Sequence, residues 1–341
     1  MIAIKDLLNV TIVLTKRCNL KCKWCFESAS PQQKDILSKK DIKFILNKLK
    51  KTGVKYINFT GGEPFIRNDF IGILHNAVKL FKHINITTNG LLIDVCREKL
   101  DFYRKNNIHF GISIEGPLEF HENIRGRGIF NNTLDKINIL RKNNIYVNIQ
   151  VTLSKKNYKH IPYLIKLAKD LKVNRISFMR VRPFGRGKYY RKLTLSSGEN
   201  YKVARYLFER NKKEKGLKIM YKDPLVNTLN QKLILFSKEN KTQNKNSNII
   251  CGGCRAGVES LFIHHDGNVF PCPFLQISLG NILRDSIKKI WLESPLLEQL
   301  RDKNKYRKCK NCKFWEICRG CRAEALSSGN GLMGRDPGCW N

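Results

Sequence analysis

No apolar run in the 341 residues approaches the roughly 20 that a membrane-spanning helix needs. The N-terminal stretch MIAIKDLLNVTIVLTKRC carries no signal-peptide pattern, because Lys5, Asp6 and Asn9 interrupt its apolar residues. A soluble, cytoplasmic protein without a membrane span is therefore expected. Acidic residues are scarce, with 28 Asp plus Glu against 64 Lys plus Arg, a net charge of +36. Such an excess would suit a nucleic-acid partner if it were concentrated in a tail or stripe. Here the basic residues are spread along a chain rich throughout in Lys, Ile and Asn, which favours biased codon usage over a nucleic-acid surface.

Cysteine is not scarce. Twelve occur, at 18, 22, 25, 96, 251, 254, 272, 309, 312, 318, 321 and 339. In an intracellular chain that number points to metal or redox chemistry and away from structural disulfides. Three lie together in CNLKCKWCF (18–26), and eight fall in the last 91 residues. A closed structural zinc site or a fully ligated iron–sulfur cluster wants four protein ligands. The N-terminal trio is one short, and no His or Cys follows within several dozen residues to complete a zinc knuckle.

Strand-like and helix-like segments alternate through the first half. Strands are expected at 9–15, 54–60, 84–88, 108–114, 145–153 and 174–181, and helices near 38–52, 69–82, 93–106, 131–144 and 158–171. Ser38 and Asp41 have capping-box spacing, and Gly53 closes the first helix. Six β–α units with short connections predict an α/β fold of parallel strands with right-handed crossovers, closed as a barrel or partial barrel. Chemistry then belongs at the C-terminal strand ends. The cysteine loop, GGEP (61–64), TTNG (87–90) and Ser113 each end or follow a strand. Another helix, 198–214, leads to the polar stretch KENKTQNKNSN (238–248), which reads as a linker. Residues 1–220 are thus expected to form the core, 221–250 a bridging segment and 251–341 a small cysteine-rich domain held by metal.

CxxxCxxC, here Cys18, Cys22 and Cys25, resembles the signature of the radical S-adenosylmethionine (SAM) superfamily. The resemblance implies a [4Fe–4S] cluster on three thiolates, with the fourth iron left for SAM. It further implies SAM contacts from Gly61, Gly62 and Glu63, with Glu63 accepting from the SAM amino group, and from Trp24, Asn89, Ser113 and Arg125. Each of these has a plainer reading alone: a strand-to-helix turn for GGEP, core packing for Trp24, and a surface pair with Glu122 for Arg125. Glu115 stands where relatives commonly carry Asp.

The later cysteines resemble the SPASM extension, which carries two auxiliary [4Fe–4S] clusters. Carried over by order, one set is Cys251, Cys254, Cys272 and Cys321, and the other is Cys309, Cys312, Cys318 and Cys339. Spacing alone leaves two all-thiolate zinc sites open as an alternative. The run departs from many SPASM proteins in its last gap, of two residues instead of three. Pro273 also stands where some relatives have an acidic base after the third cysteine of the extension. Cys96 is expected to be an inert buried thiol inside a helix. Arg180, Arg182, Arg186 and Lys188, after the sixth strand, are candidates to hold an anionic substrate. The expected function is radical modification of a ribosomally made peptide or protein, with ferredoxin or flavodoxin as donor. The rival substrate is a tetrapyrrole or similar cofactor precursor, since the CRGCRAEALSSGNGLMGRDPGCW ending resembles haem-biosynthetic members. A zinc-containing nucleic-acid-binding protein is the reading from another class.

Overall fold

Residues 3–230 and 253–341 are described by a computed structural model. Seven strands lie side by side in chain order, each parallel to the next: β1 (Asn9–Val13), β2 (Tyr56–Thr60), β3 (His83–Thr88), β4 (Ile108–Ser113), β5 (Val147–Leu153), β6 (Arg175–Arg180) and β7 (Lys218–Tyr221). Between them run α1 (Lys39–Lys50), α2 (Phe70–Leu80), α3 (Arg97–Lys105), α4 (Leu118–Arg125), α5 (Phe130–Lys142), α6 (Ile161–Asp170) and α7 (Ser197–Lys213). The capping box at α1 forms as expected: Asp41 N–H donates to Ser38 Oγ, and Ser38 N–H to the Asp41 carboxylate. Ser196 and Glu199 repeat the device at α7.

Three local expectations need correction. The parallel run has a seventh strand, β7. The helix expected from residue 93 begins at Arg97, and Cys96 is its N-cap, an exposed thiol and not a buried one. An eight-residue helix, α4, lies where no element was expected; it buries His121 and Ile124 and stops at Gly126, whose φ of 137° breaks the helix.

Strand pattern explains both faces of the sheet. In β1 to β3, Thr11, Asn58 and Asn85 alternate with the buried Val10, Ile12, Ile57, Phe59, Ile84 and Ile86. The apolar set packs under the helices in one continuous core. The polar set faces the other side, where the sheet brings it together: Asn58 Nδ2 reaches Thr11 Oγ1 on the adjacent strand at 3.5 Å, and Gln150 Nε2 reaches across β4 to Thr87 Oγ1 at 3.4 Å. A fully packed parallel sheet would show continuous apolar strands. This one lines a polar interior.

The C-terminal region does not stand apart as expected. β8 (Ser260–Ile263) pairs in parallel with β1, Asn9 opposite Ser260 and Ile12 opposite Ile263. β9 (Asn268–Phe270) and β10 (Gly280–Asn281) follow antiparallel, giving an open ten-stranded sheet of order β10-β9-β8-β1-β2-β3-β4-β5-β6-β7. The short helices α8 (Ile287–Leu292), α9 (Pro295–Arg301) and α10 (Arg322–Ser327) complete the region. Trp291 is fully buried, its indole N–H donating to Ala3 O at 3.0 Å, so this region also packs on the N-terminus. The expected boundary at 220 falls inside β7, and the expected linker 238–248 lies outside the described residues. No helix among the described residues is long and apolar enough to cross a membrane.

Candidate active site

A cavity of about 400 Å³ opens at the C-terminal ends of the strands, and the thiols of Cys18, Cys22 and Cys25 all border it. The cysteine loop is pinned from three directions. From β2, Gly62 N–H donates to Thr15 O (2.7 Å) and Glu63 N–H to Arg17 O (2.9 Å). From α4, Ile124 O accepts from Lys23 N–H (2.9 Å). From the segment after β6, Arg186 N–H donates to Cys25 O (3.0 Å), and its Nε donates to Cys22 O (2.8 Å). Glycine is required at two of these crossings. A Cβ at position 62 would lie 2.1 Å from Arg17 O, and one at position 185 would lie 2.3 Å from Phe26 O.

The residues proposed from sequence as SAM contacts converge on this cavity with one exception. Gly61, Gly62, Trp24, Asn89, Ser113 and Arg125 all line it. Asn89 Nδ2 donates to Asn19 Oδ1 at 2.8 Å and lies 4.0 Å from Cys18 Sγ. Trp24 packs between Phe120 and Tyr190, and its buried Nε1 has no partner among the described residues. Arg125, the last residue of α4, forks onto Glu115 Oε1 through Nε (3.0 Å) and Nη2 (2.5 Å), while Nη1 stands 4.0 Å from Cys22 Sγ. Its partner is thus the fully buried Glu115 and not Glu122.

Glu63 is the exception. Its carboxylate is fully buried behind the wall, accepting from Thr88 Oγ1 (2.8 Å), Asn89 N (2.8 Å) and Phe65 N (3.2 Å). Burial pushes its carboxyl up to about 7 despite these donors. It holds the turn after β3 in place and is not among the residues that line the cavity.

Two expected substrate cations are also corrected. Arg180 is buried against Asp223 (2.5 Å) and Asp336 (3.2 Å), two carboxylates that consume its guanidinium. Arg182 is buried behind Phe274, its guanidinium 4.7 Å from that ring and 3.7 Å from Glu324 Oε1. Only Arg186 of that trio reaches the cavity, while Lys188 is exposed outside it. Lys222, just past β7, was not foreseen. Its side chain is exposed to the cavity, and desolvation by the surrounding walls lowers its amine to about 8. Strand alternation could have flagged Thr11, Asn58 and Gln150; nothing local marks Lys222.

The three thiols fit a cluster one ligand short. No fourth Cys, and no His, Asp or Glu, lines the cavity among the described residues. Burial pushes the Cys18 thiol up to about 12, so its metal binding displaces a proton.

The described later cysteines fall in two groups. Cys309, Cys312, Cys318 and Cys339 line one small cavity with Trp315 and Asp336. Cys272, half-buried, and Cys321, buried, feel one another and Cys254 electrostatically; Cys251 lies outside the described residues. All eleven described cysteines are free. Asp336 joins the two groups to the barrel, accepting from Cys321 N (2.8 Å), Gly338 N (2.8 Å) and Arg180.

Comparison with known proteins agrees with this geometry. Residues 12–168 match the radical SAM superfamily, and residues 254–313 match SPASM, an iron–sulfur cluster-binding domain. An AdoMet-dependent heme synthase of Methanosarcina barkeri is 28% identical, over 96% of this chain and 94% of the relative. The antilisterial bacteriocin subtilosin biosynthesis protein AlbA of Bacillus subtilis is 29% identical, over 94% of this chain and 68% of the relative. Streptococcus suis SuiB, solved bound to its precursor peptide SuiA, shares the fold with a TM-score of 0.76 at 22% identity, over 96% of this chain and 74% of that one. The chain thus carries a radical SAM domain and a SPASM domain, those of an enzyme with a [4Fe–4S] cluster and SAM in its parallel-stranded core and auxiliary iron–sulfur clusters in its C-terminal region.

Proposed function

We propose that this enzyme takes a hydrogen atom from a carboxylate-bearing residue of a ribosomally made peptide or protein, and that Cys18, Cys22 and Cys25 ligate the initiating cluster. The bound cluster and SAM supply the chemistry, reductive cleavage of the sulfonium to methionine and a 5′-deoxyadenosyl radical. The chain's own residues bind, orient and exclude water. Arg125, kept in place by Glu115, offers a cation beside Cys22 for the SAM carboxylate. Asn89 and Ser113 offer polar groups on the adjoining wall, and Trp24 a buried indole N–H. Glu63 positions Asn89 through the backbone. The polar strand faces close the cavity floor. Cys254, Cys272 and Cys321 with Cys251, and separately Cys309, Cys312, Cys318 and Cys339, serve the auxiliary clusters. An electron donor such as ferredoxin or flavodoxin completes the reading; exposed Lys21 and Lys23 flank Cys22 on its outer side.

The charge of the cavity carries the substrate reading. Arg186 and Lys222 line it beside Arg125, whose guanidinium is already paired with Glu115, and no carboxylate lines it among the described residues, which favours an anionic substrate near Arg186 and Lys222. A second reading shares this chemistry: a tetrapyrrole with carboxylate side chains, favoured by the match to a heme synthase along 94% of that protein. Anaerobic incubation with SAM and reductant, offering acidic peptides encoded beside the gene or a carboxylate-bearing iron porphyrin, separates the two by product mass. Peptide lighter by hydrogen or crosslinked supports the first reading, and altered porphyrin alone supports the second. Absence of 5′-deoxyadenosine with intact clusters refutes both.

A further inference from the structure

The turn joining β8 to β9 carries three donor side chains in succession, His264, His265 and Asp266. Their ligand atoms all lie within 4.8 Å of one another. His264 Nδ1 is 3.0 Å from His265 Nδ1 and 3.4 Å from Asp266 Oδ1. The turn is rigid: His264 N–H donates to Asn268 O (2.8 Å), Gly267 N–H to His264 O (2.9 Å), and Asn268 holds both Asp266 oxygens at 3.0 and 2.8 Å.

The far side of His264 explains what its near side is for. Its Nε2 lies 3.0 Å from Oε2 of Glu27, a carboxylate only 2% exposed. A carboxylate accepts, so Nε2 carries the hydrogen, and in a neutral ring Nδ1 is then a lone pair. That lone pair lies beside a second imidazole nitrogen and a carboxylate oxygen; with the His265 proton on Nε2 the three atoms are all acceptors and would suit a cation. Carboxylate to histidine to metal is the usual way a ligating imidazole is oriented. Ligand atoms around a tetrahedral zinc-type ion stand about 3.3 Å apart, given metal–nitrogen distances of about 2.0–2.1 Å. The separations from His264 Nδ1 bracket the region such an ion requires.

We propose that His264 Nδ1, His265 Nδ1 and an Asp266 carboxylate oxygen form a site for one divalent transition-metal ion of the zinc type, distinct from the iron–sulfur clusters, with Glu27 as its orienting carboxylate. Imidazole and carboxylate ligands select such an ion. His264 and Asp266 are 17% and 32% exposed, which gives the ion a route in and leaves a coordination position for water. Glu27 lies two residues beyond Cys25, and Cys272 follows β9, so the ion staples the cysteine loop to the strand pair leading to the auxiliary clusters.

The test uses holoenzyme whose clusters are verified by iron and sulfide content, incubated with zinc chloride and desalted. Elemental analysis should find one more zinc per chain than in His264→Ala/His265→Ala protein, with iron equal in both. Glu27→Ala should weaken zinc retention about 10–100-fold. Zinc K-edge absorption of the wild-type holoenzyme provides a readout that needs no variant, and should show nitrogen and oxygen neighbours without sulfur. Equal zinc in wild type and the double variant, zinc gained only as iron is lost, or a sulfur shell would each overturn the site. Failure of wild type to retain zinc would overturn it as well. None of these readouts depends on the proposed substrate.

Discussion

Glu63 and Lys222 are ionisable groups whose roles depend on desolvation. Unfolded, Glu63 has the ordinary carboxyl value of 4.5; folded, burial pushes it up to about 7. A carboxyl raised on folding contributes stability that is present below its unfolded value and lost as pH rises through the folded one. Wild type should therefore lose stability relative to Glu63→Gln between about pH 4.5 and 7, as paired denaturant titrations across that window would show. Glu63→Ala strips acceptors from Thr88 and Asn89 and should cost about 1–3 kcal/mol. Lys222 has the opposite sign. Its amine is charged below about 8 and neutral above. KM for an anionic substrate should rise as pH passes 8, and Lys222→Met should show a raised, flatter profile; an unchanged profile would remove Lys222 from substrate binding.

At the scale of elements, the end of β6 is a joint and not a substrate clamp. Arg180 ties the Asp223 segment after β7 to Asp336, which in turn accepts from Cys321 N–H. A Cβ at position 338 would lie 2.0 Å from Arg180 Nη1, so the C-terminal segment wraps closely around the guanidinium. Arg180→Ala leaves two buried carboxylates uncompensated and should cost about 3–5 kcal/mol, read as a lowered melting temperature. Auxiliary iron should fall with it, because Cys321 loses its anchor. The sequence made Arg180 look like its neighbour Arg186, since both sit in one basic run; only the partners across the fold separate them.

For the molecule as a whole, three clusters predict about twelve irons per chain. Cys22→Ala should abolish SAM cleavage and lower iron by about four, leaving the auxiliary complement. Cys318→Ala should retain SAM cleavage but lose product. Iron analysis beside 5′-deoxyadenosine assays checks both, and full product formation by Cys318→Ala would remove its cluster from the reaction. Independence of the two regions in metal content need not mean structural independence. β8 completes the sheet against β1, and one hydrophobic core includes Leu261, Ile263 and Trp291 with the barrel residues. Loss of auxiliary metal should therefore be felt at β1, whose end leads into the cysteine loop.

Local information sufficed for much of this protein. Hydrophobic periodicity and capping residues located six of the seven parallel strands and six of the seven helices between them, because those signals act within one or two turns. Cysteine spacing exposed the incomplete ligand set because a cluster constrains near neighbours. Sequence order grouped Cys309, Cys312, Cys318 and Cys339, which the fold then brought around one cavity. The remaining features depend on pairings across long stretches of chain. Whether β8 stands in a separate domain or beside β1 is decided by backbone hydrogen bonds between residues some 250 positions apart. Whether an arginine faces substrate or a carboxylate is decided by what tertiary packing puts opposite it, as Asp223 and Asp336 stand opposite Arg180. Burial and long-range charge are properties of the folded arrangement, and no short window of sequence contains them.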